Sequence, residues 1–235
     1  MKTETITLPR RFNGPPDSAN GGYAAGVIAS PLADGRTVEV TLRRPPPLER
    51  PLTLLIEDDA LECRDGEQVI AQARVADLDV DLDLVPPVSF EDASATAAWS
   101  VFADASAHPF PTCFAWGPLR DAGDGLRLFA GRVPDTEHFA TTWTPAEVDQ
   151  RIVWAALDCP SSAPIDLSLH RDTPHVLGRI TARVDRLPDV GEALVIMSSP
   201  QGFDGRKIHT AVAIYDADEK CCARARATWI RLGGA

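Results

Sequence analysis

Val38-Glu-Val-Thr-Leu-Arg-Arg44 and Ile180-Thr-Ala-Arg-Val-Asp-Arg186 are two versions of one pattern. An offset of 142 lays Val38, Val40, Leu42, Arg44, Leu52 and Leu54 on Ile180, Ala182, Val184, Arg186, Leu194 and Ile196 without a gap. Further on, an offset of 152 lays Glu67, Ala71, Ala73 and Arg74 on Glu219, Ala223, Ala225 and Arg226. The second copy therefore holds ten more residues between the two blocks, and Ser199-Pro-Gln-Gly-Phe-Asp-Gly205 is the loop expected to carry them. A unit that recurs in this way constrains the whole fold.

Within each block apolar residues alternate with polar ones, cleanly at Val38, Val40 and Leu42 and more loosely at Ile208, Ala211, Ala213 and Tyr215. That period of two predicts half-buried antiparallel strands. Asp65-Gly66 and Asp216-Ala-Asp-Glu219 punctuate them, because Gly and Asp tolerate the backbone angles of tight turns. Ahead of each strand block lies a segment that is apolar nearly all round, Gly21-Gly-Tyr-Ala-Ala-Gly-Val-Ile-Ala29 and Glu147-Val-Asp-Gln-Arg-Ile-Val-Trp-Ala-Ala-Leu157. Each predicts a helix buried on every side, the first stopped by Pro31 and the second by Pro160. Tyr23-Ala-Ala and Trp154-Ala-Ala fall at matching places.

The expectation is an α+β protein of two like units, residues 1–83 and 125–235, each a central helix wrapped by a curved antiparallel sheet. Residues 84–124 join them. A short helix is expected within Phe90 to Phe102, and His108-Pro-Phe-Pro-Thr-Cys-Phe-Ala-Trp-Gly-Pro118 is aromatic enough to pack across both halves. Gly125 to Val133 and Phe139 to Trp143 are expected to open the second unit as strands.

With 44% apolar residues, the 235-residue chain can bury one large core or two small ones. Its 23 Lys and Arg against 34 Asp and Glu give a formal charge of -11, which repels nucleic acid and anionic membranes. No segment suits a secretion signal or a membrane span, so a cytoplasmic protein is expected. The five cysteines, Cys63, Cys113, Cys159, Cys221 and Cys222, are scattered and odd in number, as reduced thiols are.

A helix wrapped by such a sheet is the hotdog arrangement, and Asn20-Gly-Gly-Tyr-Ala-Ala-Gly-Val-Ile-Ala29 resembles the opening of the central helix in hotdog acyl-CoA thioesterases. Together with Phe12-Asn-Gly-Pro-Pro-Asp-Ser18, His108-Pro-Phe-Pro-Thr-Cys-Phe114 and Val153-Trp-Ala-Ala-Leu-Asp-Cys-Pro160, it resembles a bacterial group of thioesterase-like double hotdog proteins over nearly the whole chain. That resemblance implies a tandem hotdog that hydrolyses an acyl-CoA or similar acyl thioester without a cofactor. In that group a second cysteine often stands where this chain has Trp116, which argues against a role for a cysteine pair.

Thioester hydrolysis needs donors aimed at the developing oxyanion and a carboxylate that activates water or attacks the carbonyl. The helix N-terminus offers the Gly22 amide with Asn20 beside it, and Asp158, late in the second apolar helix, is the carboxylate candidate. Gly21, Tyr23 and Trp154 are expected to contact substrate. Asn20 equally suits a plain N-cap, and Asp158 a residue that bonds turn amides. Val27 leaves the first helix without an acid, so a single complete site is expected.

Cys113 or Cys159 with His108 as base is a weaker nucleophile scheme, since buried structural cysteine is commoner. His170-Arg-Asp-Thr-Pro-His175 lacks the ligands of a metal site, and none is expected. Arg10, Arg11, Arg43 and Arg44 are candidates for the phosphates of coenzyme A. The alternative function is an acyl or acyl-CoA binding protein that turns nothing over, its cleft lined by Phe110, Phe114 and Trp116. Free sheet edges leave a homo-oligomer open.

Overall fold

A computed structural model of the chain describes residues 1–77, 82–106, 108–167 and 174–232. The first half runs β1 (Lys2–Thr7), α1 (Gly21–Ala29), β2 (Val38–Leu42), β3 (Pro51–Glu57), β4 (Ala60–Asp65) and β5 (Gln68–Val75). After the linker, with its short helix α2 (Phe90–Thr96), come β6 (Gly131–Arg132), β7 (Phe139–Trp143), α3 (Gln150–Ser161), β8 (His175–Val184), β9 (Leu194–Asp204), β10 (Lys207–Tyr215) and β11 (Cys221–Arg231). The eleven strands form one antiparallel sheet in the order β1-β3-β4-β5-β2-β8-β11-β10-β9-β7-β6. The order within one half mirrors that of the other about the β2·β8 junction.

The junction has its own symmetry. Glu39 pairs with Thr181 there, and these are equivalent positions of the repeat; Val38 pairs with Ala182 and Val40 with Ile180, which also exchange under it. Two copies of one strand thus meet about a local two-fold axis, the isologous contact of a symmetric dimer, within a single chain. The register agrees to the residue inside each half as well. Leu42 faces Ala71 and Val184 faces Ala223, and a bulge recurs at the matching place, with Ile70 the unpaired residue in one copy and Cys222 in the other.

Three expectations need correction. Ser199 to Gly205 is no loop: nine of the ten extra residues lengthen the β9–β10 hairpin, which turns at Gly205-Arg206, and one enlarges the β10–β11 turn. Alternate pairing on both sides let the strands simply grow. Pro160 lies inside α3, whose Ser162 cap follows it, because a proline in the final turn forfeits only one late hydrogen bond. Residues 125–133 contribute only the two-residue β6, since Leu126 and Leu128 donate their amides to Phe114 and Ala115 of the linker instead of a strand.

Both helices pack against the sheet in one core and cross there in opposite directions, Gly22 lying by Asp158 and Gly26 by Arg151. Asn20 caps α1 by accepting from the Tyr23 amide at 2.9 Å, and Asp149 caps α3 by accepting from Arg151 and Ile152. Every residue of α1 from Gly22 to Ala29 is buried. Glycine is what permits the crossing: a Cβ on Gly26 would come within 2.9 Å of the Arg151 Cα.

The linker covers the outer face of the second half. Val85 and Ala93 pack with Ala140, Val195, Met197, Ala211, Ala213 and Tyr215, and the Tyr215 hydroxyl donates to the Val85 carbonyl at 2.7 Å. Tyr215→Phe leaves that buried carbonyl without its donor and is expected to cost about 1 kcal/mol. A thermal melt should then show a midpoint lower by about 3 °C, and an unchanged midpoint would mean the linker is not held there. Among the described residues no helix is long and apolar enough to cross a membrane.

Candidate active site

Asp158 sits in the last turn of α3, 2% exposed, beside the first turn of α1. Its Oδ2 accepts the Gly22 amide at 2.7 Å, so the two helices are bonded at the point where one ends and the other begins. Among the described residues its Oδ1 has no hydrogen-bond partner. Burial raises the carboxyl pKa to about 7, with the Gly22 amide and the Asn20 carboxamide pulling back. The positive end of α1 favours the anion, as a helix N-terminus does.

Asp158 opens onto a cavity of about 370 Å³. Asn20 and Gly21 form its α1 wall and Cys159 continues the α3 wall; Leu177 and Trp229 come from β8 and β11, and Phe110, Cys113 and Trp116 close it from the linker. Arg43 and Arg44 stand just past β2 at the same cavity, with Arg43 holding the Gln72 side-chain oxygen at 2.9 Å. A mostly apolar recess with one buried acid and two arginines suits an acyl chain on a polyanionic carrier.

The structure brings together Asp158, Gly22, Asn20 and Gly21 from the expected set. Tyr23 and Trp154 lie elsewhere: Tyr23 stacks on Phe12 with ring centroids 3.7 Å apart, and Trp154 is buried against Gly26. Phe114 joins that Phe12–Tyr23 cluster and not the cavity. Arg11 is tied to Asp124 and Glu147. The site equivalent to Asp158 in the first copy is the apolar Val27, and the N-terminus of α3 is closed by its own Asp149.

His108 is buried, its Nδ1 accepting from the Phe110 amide at 2.9 Å and its ring edge-on to Trp116; burial lowers its pKa to about 4. Among the described residues no hydrogen bond joins it to a thiol, so it is not placed as the base for one. His170 to Thr173 lie outside the described residues. Elsewhere, Glu192, Asp216 and Cys222 converge, but on the guanidinium of Arg186.

What the sequence analysis missed is the meeting of Cys113 with Cys159. The absent cysteine at Trp116 argued against a pair, yet the α3 thiol supplies the partner, at 3.7 Å between sulfurs. Only the fold of the linker over α3 reveals it, because nothing in the spacing of two cysteines 46 residues apart does so.

Comparison with solved structures places the fold. A hotdog-fold protein of unknown function from Alicyclobacillus acidocaldarius superposes with a TM-score of 0.62 at 11% identity, covering 100% of this chain and 94% of that one. An acyl-CoA thioesterase II, TesB2, of Mycobacterium marinum does so at 0.60 and 12%, covering 93% and 91%. The dehydratase domain of PpsC from Mycobacterium tuberculosis, solved with C12:1-CoA, reaches 0.57 at 14%, covering 98% and 93%. No protein-family model and no curated relative matches the sequence. The expected tandem hotdog is therefore the fold observed.

Proposed function

From the premise that this chain is a double hotdog protein, alike in fold over most of its length to a thioesterase of the TesB type, we propose that it hydrolyses acyl-CoA or similar acyl thioesters. Residues 1–83 and 125–235 act in this proposal as the two hotdog units, and residues 84–124 as the strap that roofs the cavity. The observation that carries it is Asp158: a buried carboxylate facing an apolar recess, with one oxygen held by Gly22 and the other unpartnered among the described residues.

In the free protein the Gly22 amide is spent on holding Asp158 in position. A thioester carbonyl arriving at the start of α1 exchanges for that carboxylate oxygen, so that Gly22 and the Asn20 carboxamide stabilise the oxyanion. Asp158, released towards the carbonyl carbon, deprotonates a water or attacks directly. A pKa near 7 suits either role, because the group is then basic enough to take a proton and still ionised at neutral pH. Arg43 and Arg44 would meet the carrier phosphates at the mouth.

The test is a panel of acyl-CoA esters assayed for release of free coenzyme A, with ligand binding measured in parallel. Release is expected for at least one chain length, and Asp158→Asn should lower its kcat by a factor of about 10² to 10⁴. The wild-type rate should climb about tenfold per pH unit below pH 7 and level off above it, as the carboxyl loses its proton. Tight binding with no release across the panel would favour a non-catalytic acyl-CoA binding protein instead.

A further inference from the structure

Cys113 lies in the linker and Cys159 on α3, yet their sulfurs touch at 3.7 Å and both side chains are almost fully buried. Both line the cavity that holds Asp158, so a small molecule entering there reaches them. The other three thiols, Cys63, Cys221 and Cys222, lie on β4 and β11, with Cys222 beside Arg186. We infer that Cys113 and Cys159 form a redox-active dithiol in the wall of the cavity, a site of oxidation to an intramolecular disulfide by hydrogen peroxide.

The sulfurs must close from 3.7 Å to the ~2.05 Å of a disulfide bond. Cys159 is fixed in α3, but Cys113 stands in an irregular turn where Gly117 donates to its carbonyl, and a turn yields more easily than a helix. Asn20 supports the chemistry, since its Nδ2 lies 3.7 Å from the Cys113 sulfur and 3.4 Å from that of Cys159. Burial works against ionisation of both thiols, but the hydrogen bond with Cys159 and the backbone amides of Ala115 and Trp116 favour the thiolate at Cys113, which makes it the more acidic and so the first to react.

The electron balance closes with one peroxide. The Cys113 sulfur attacks one oxygen of hydrogen peroxide, the O–O bond breaks, and the departing hydroxide leaves as water with the thiol proton. The Cys159 sulfur then attacks the resulting sulfenic acid, the S–O bond breaks, and the hydroxide leaves with the Cys159 proton as a second water. Two thiols are oxidised and the peroxide is reduced.

The disulfide acts on the neighbouring site through two contacts. Cys159 adjoins Asp158 in the chain, and the carboxamide that faces the sulfurs also caps α1 through Tyr23. Drawing the sulfurs together shifts both, and a displacement of about 1 Å at a reacting group can cost on the order of a hundredfold in rate. This coupling rests on the proposed thioester hydrolysis, whereas the cross-link itself does not.

The whole chain is treated with hydrogen peroxide, quenched with catalase, denatured, alkylated with N-ethylmaleimide and weighed intact. The expected product takes up three maleimides in place of the five of the reduced chain, is two hydrogens lighter, and yields a peptide joining Cys113 to Cys159 that dithiothreitol splits. Cys63→Ser should keep that bridge and Cys159→Ser should lose it. Five alkylated thiols, a bridge between other cysteines, or a sulfinic acid on Cys113 in place of a bridge overturns the inference, and the wild-type map decides this even if a variant does not fold. Loss of acyl-CoA followed by chromatography should slow at least tenfold on oxidation and recover with dithiothreitol. A bridged protein at full rate overturns the coupling alone, and a reduced protein with no hydrolysis counts against the proposed function, not against the disulfide.

Discussion

At pH 8, Asp158→Asn should melt at a higher temperature than the wild type, even as it loses hydrolysis. The sign follows from linkage. The unfolded carboxyl has a pKa of 3.8 and the folded one about 7, so between those values the native state keeps a proton that the unfolded chain has released. Stability conferred by this group is present below the unfolded value and is lost as pH rises towards 7. The full difference is up to about 4 kcal/mol, at 1.36 kcal/mol per pKa unit. Asparagine carries no proton to lose and still offers an oxygen to the Gly22 amide.

The variant should therefore gain most above pH 7, on the order of 8 to 16 °C if the whole term is realised, and should converge with the wild type near pH 4. Melting curves at pH 4, 6 and 8 read this directly. A wild type whose advantage over the variant grew with pH would mean that the carboxylate is welcomed in its niche and not strained there. Groups kept charged at a cost to the fold are a mark of functional sites, where stability is given up for reactivity.

How much of this was legible beforehand varies with the physics of each element. β2 showed its period of two because one face of the first half meets water, and its buried positions Val38 and Val40 alternate as the sequence does. β10 blurred it. Residues from Thr210 to Tyr215 are buried on both faces, since the linker roofs that part of the sheet, and the polar half of the pattern is gone. β1 escaped notice because an exposed edge strand, Lys2 to Thr7, is mostly polar. Within the site, the N-cap of Asn20 and the lateness of Asp158 in its helix were readable from local chemistry. Their meeting was not, for it depends on the antiparallel crossing of α1 and α3. The same dependence removed Tyr23 and Trp154 from the cavity: a residue on a helix buried all round touches something on every side, and only the packing says what.

That crossing is itself testable through Gly22→Ala. A methyl at this position would sit 2.4 Å from both the Asp158 Cβ and the Trp154 carbonyl oxygen and 3.1 Å from the Ala155 Cα. Backbone atoms make up most of that surface, so no rotamer change relieves the clash, and α1 must move off α3. Overpacking against an unyielding neighbour costs about 3 kcal/mol or more, which for a chain of this size lowers the melting midpoint by roughly 6 to 12 °C. Separation also stretches the 2.7 Å bond from Gly22 to Asp158, so whatever folded protein remains should lose hydrolysis beyond its loss of stability. Gly21→Ala is the matched control. Its methyl would meet the Leu177 Cβ and Cδ2 at 3.0 Å and the Asp158 Oδ2 at 3.4 Å, crowding that a shift of a few tenths of an ångström relieves, so its midpoint should fall less. If the two variants melted alike and close to the wild type, the helices would not be pressed together at Gly22, and the composite site built on their contact would fail with it.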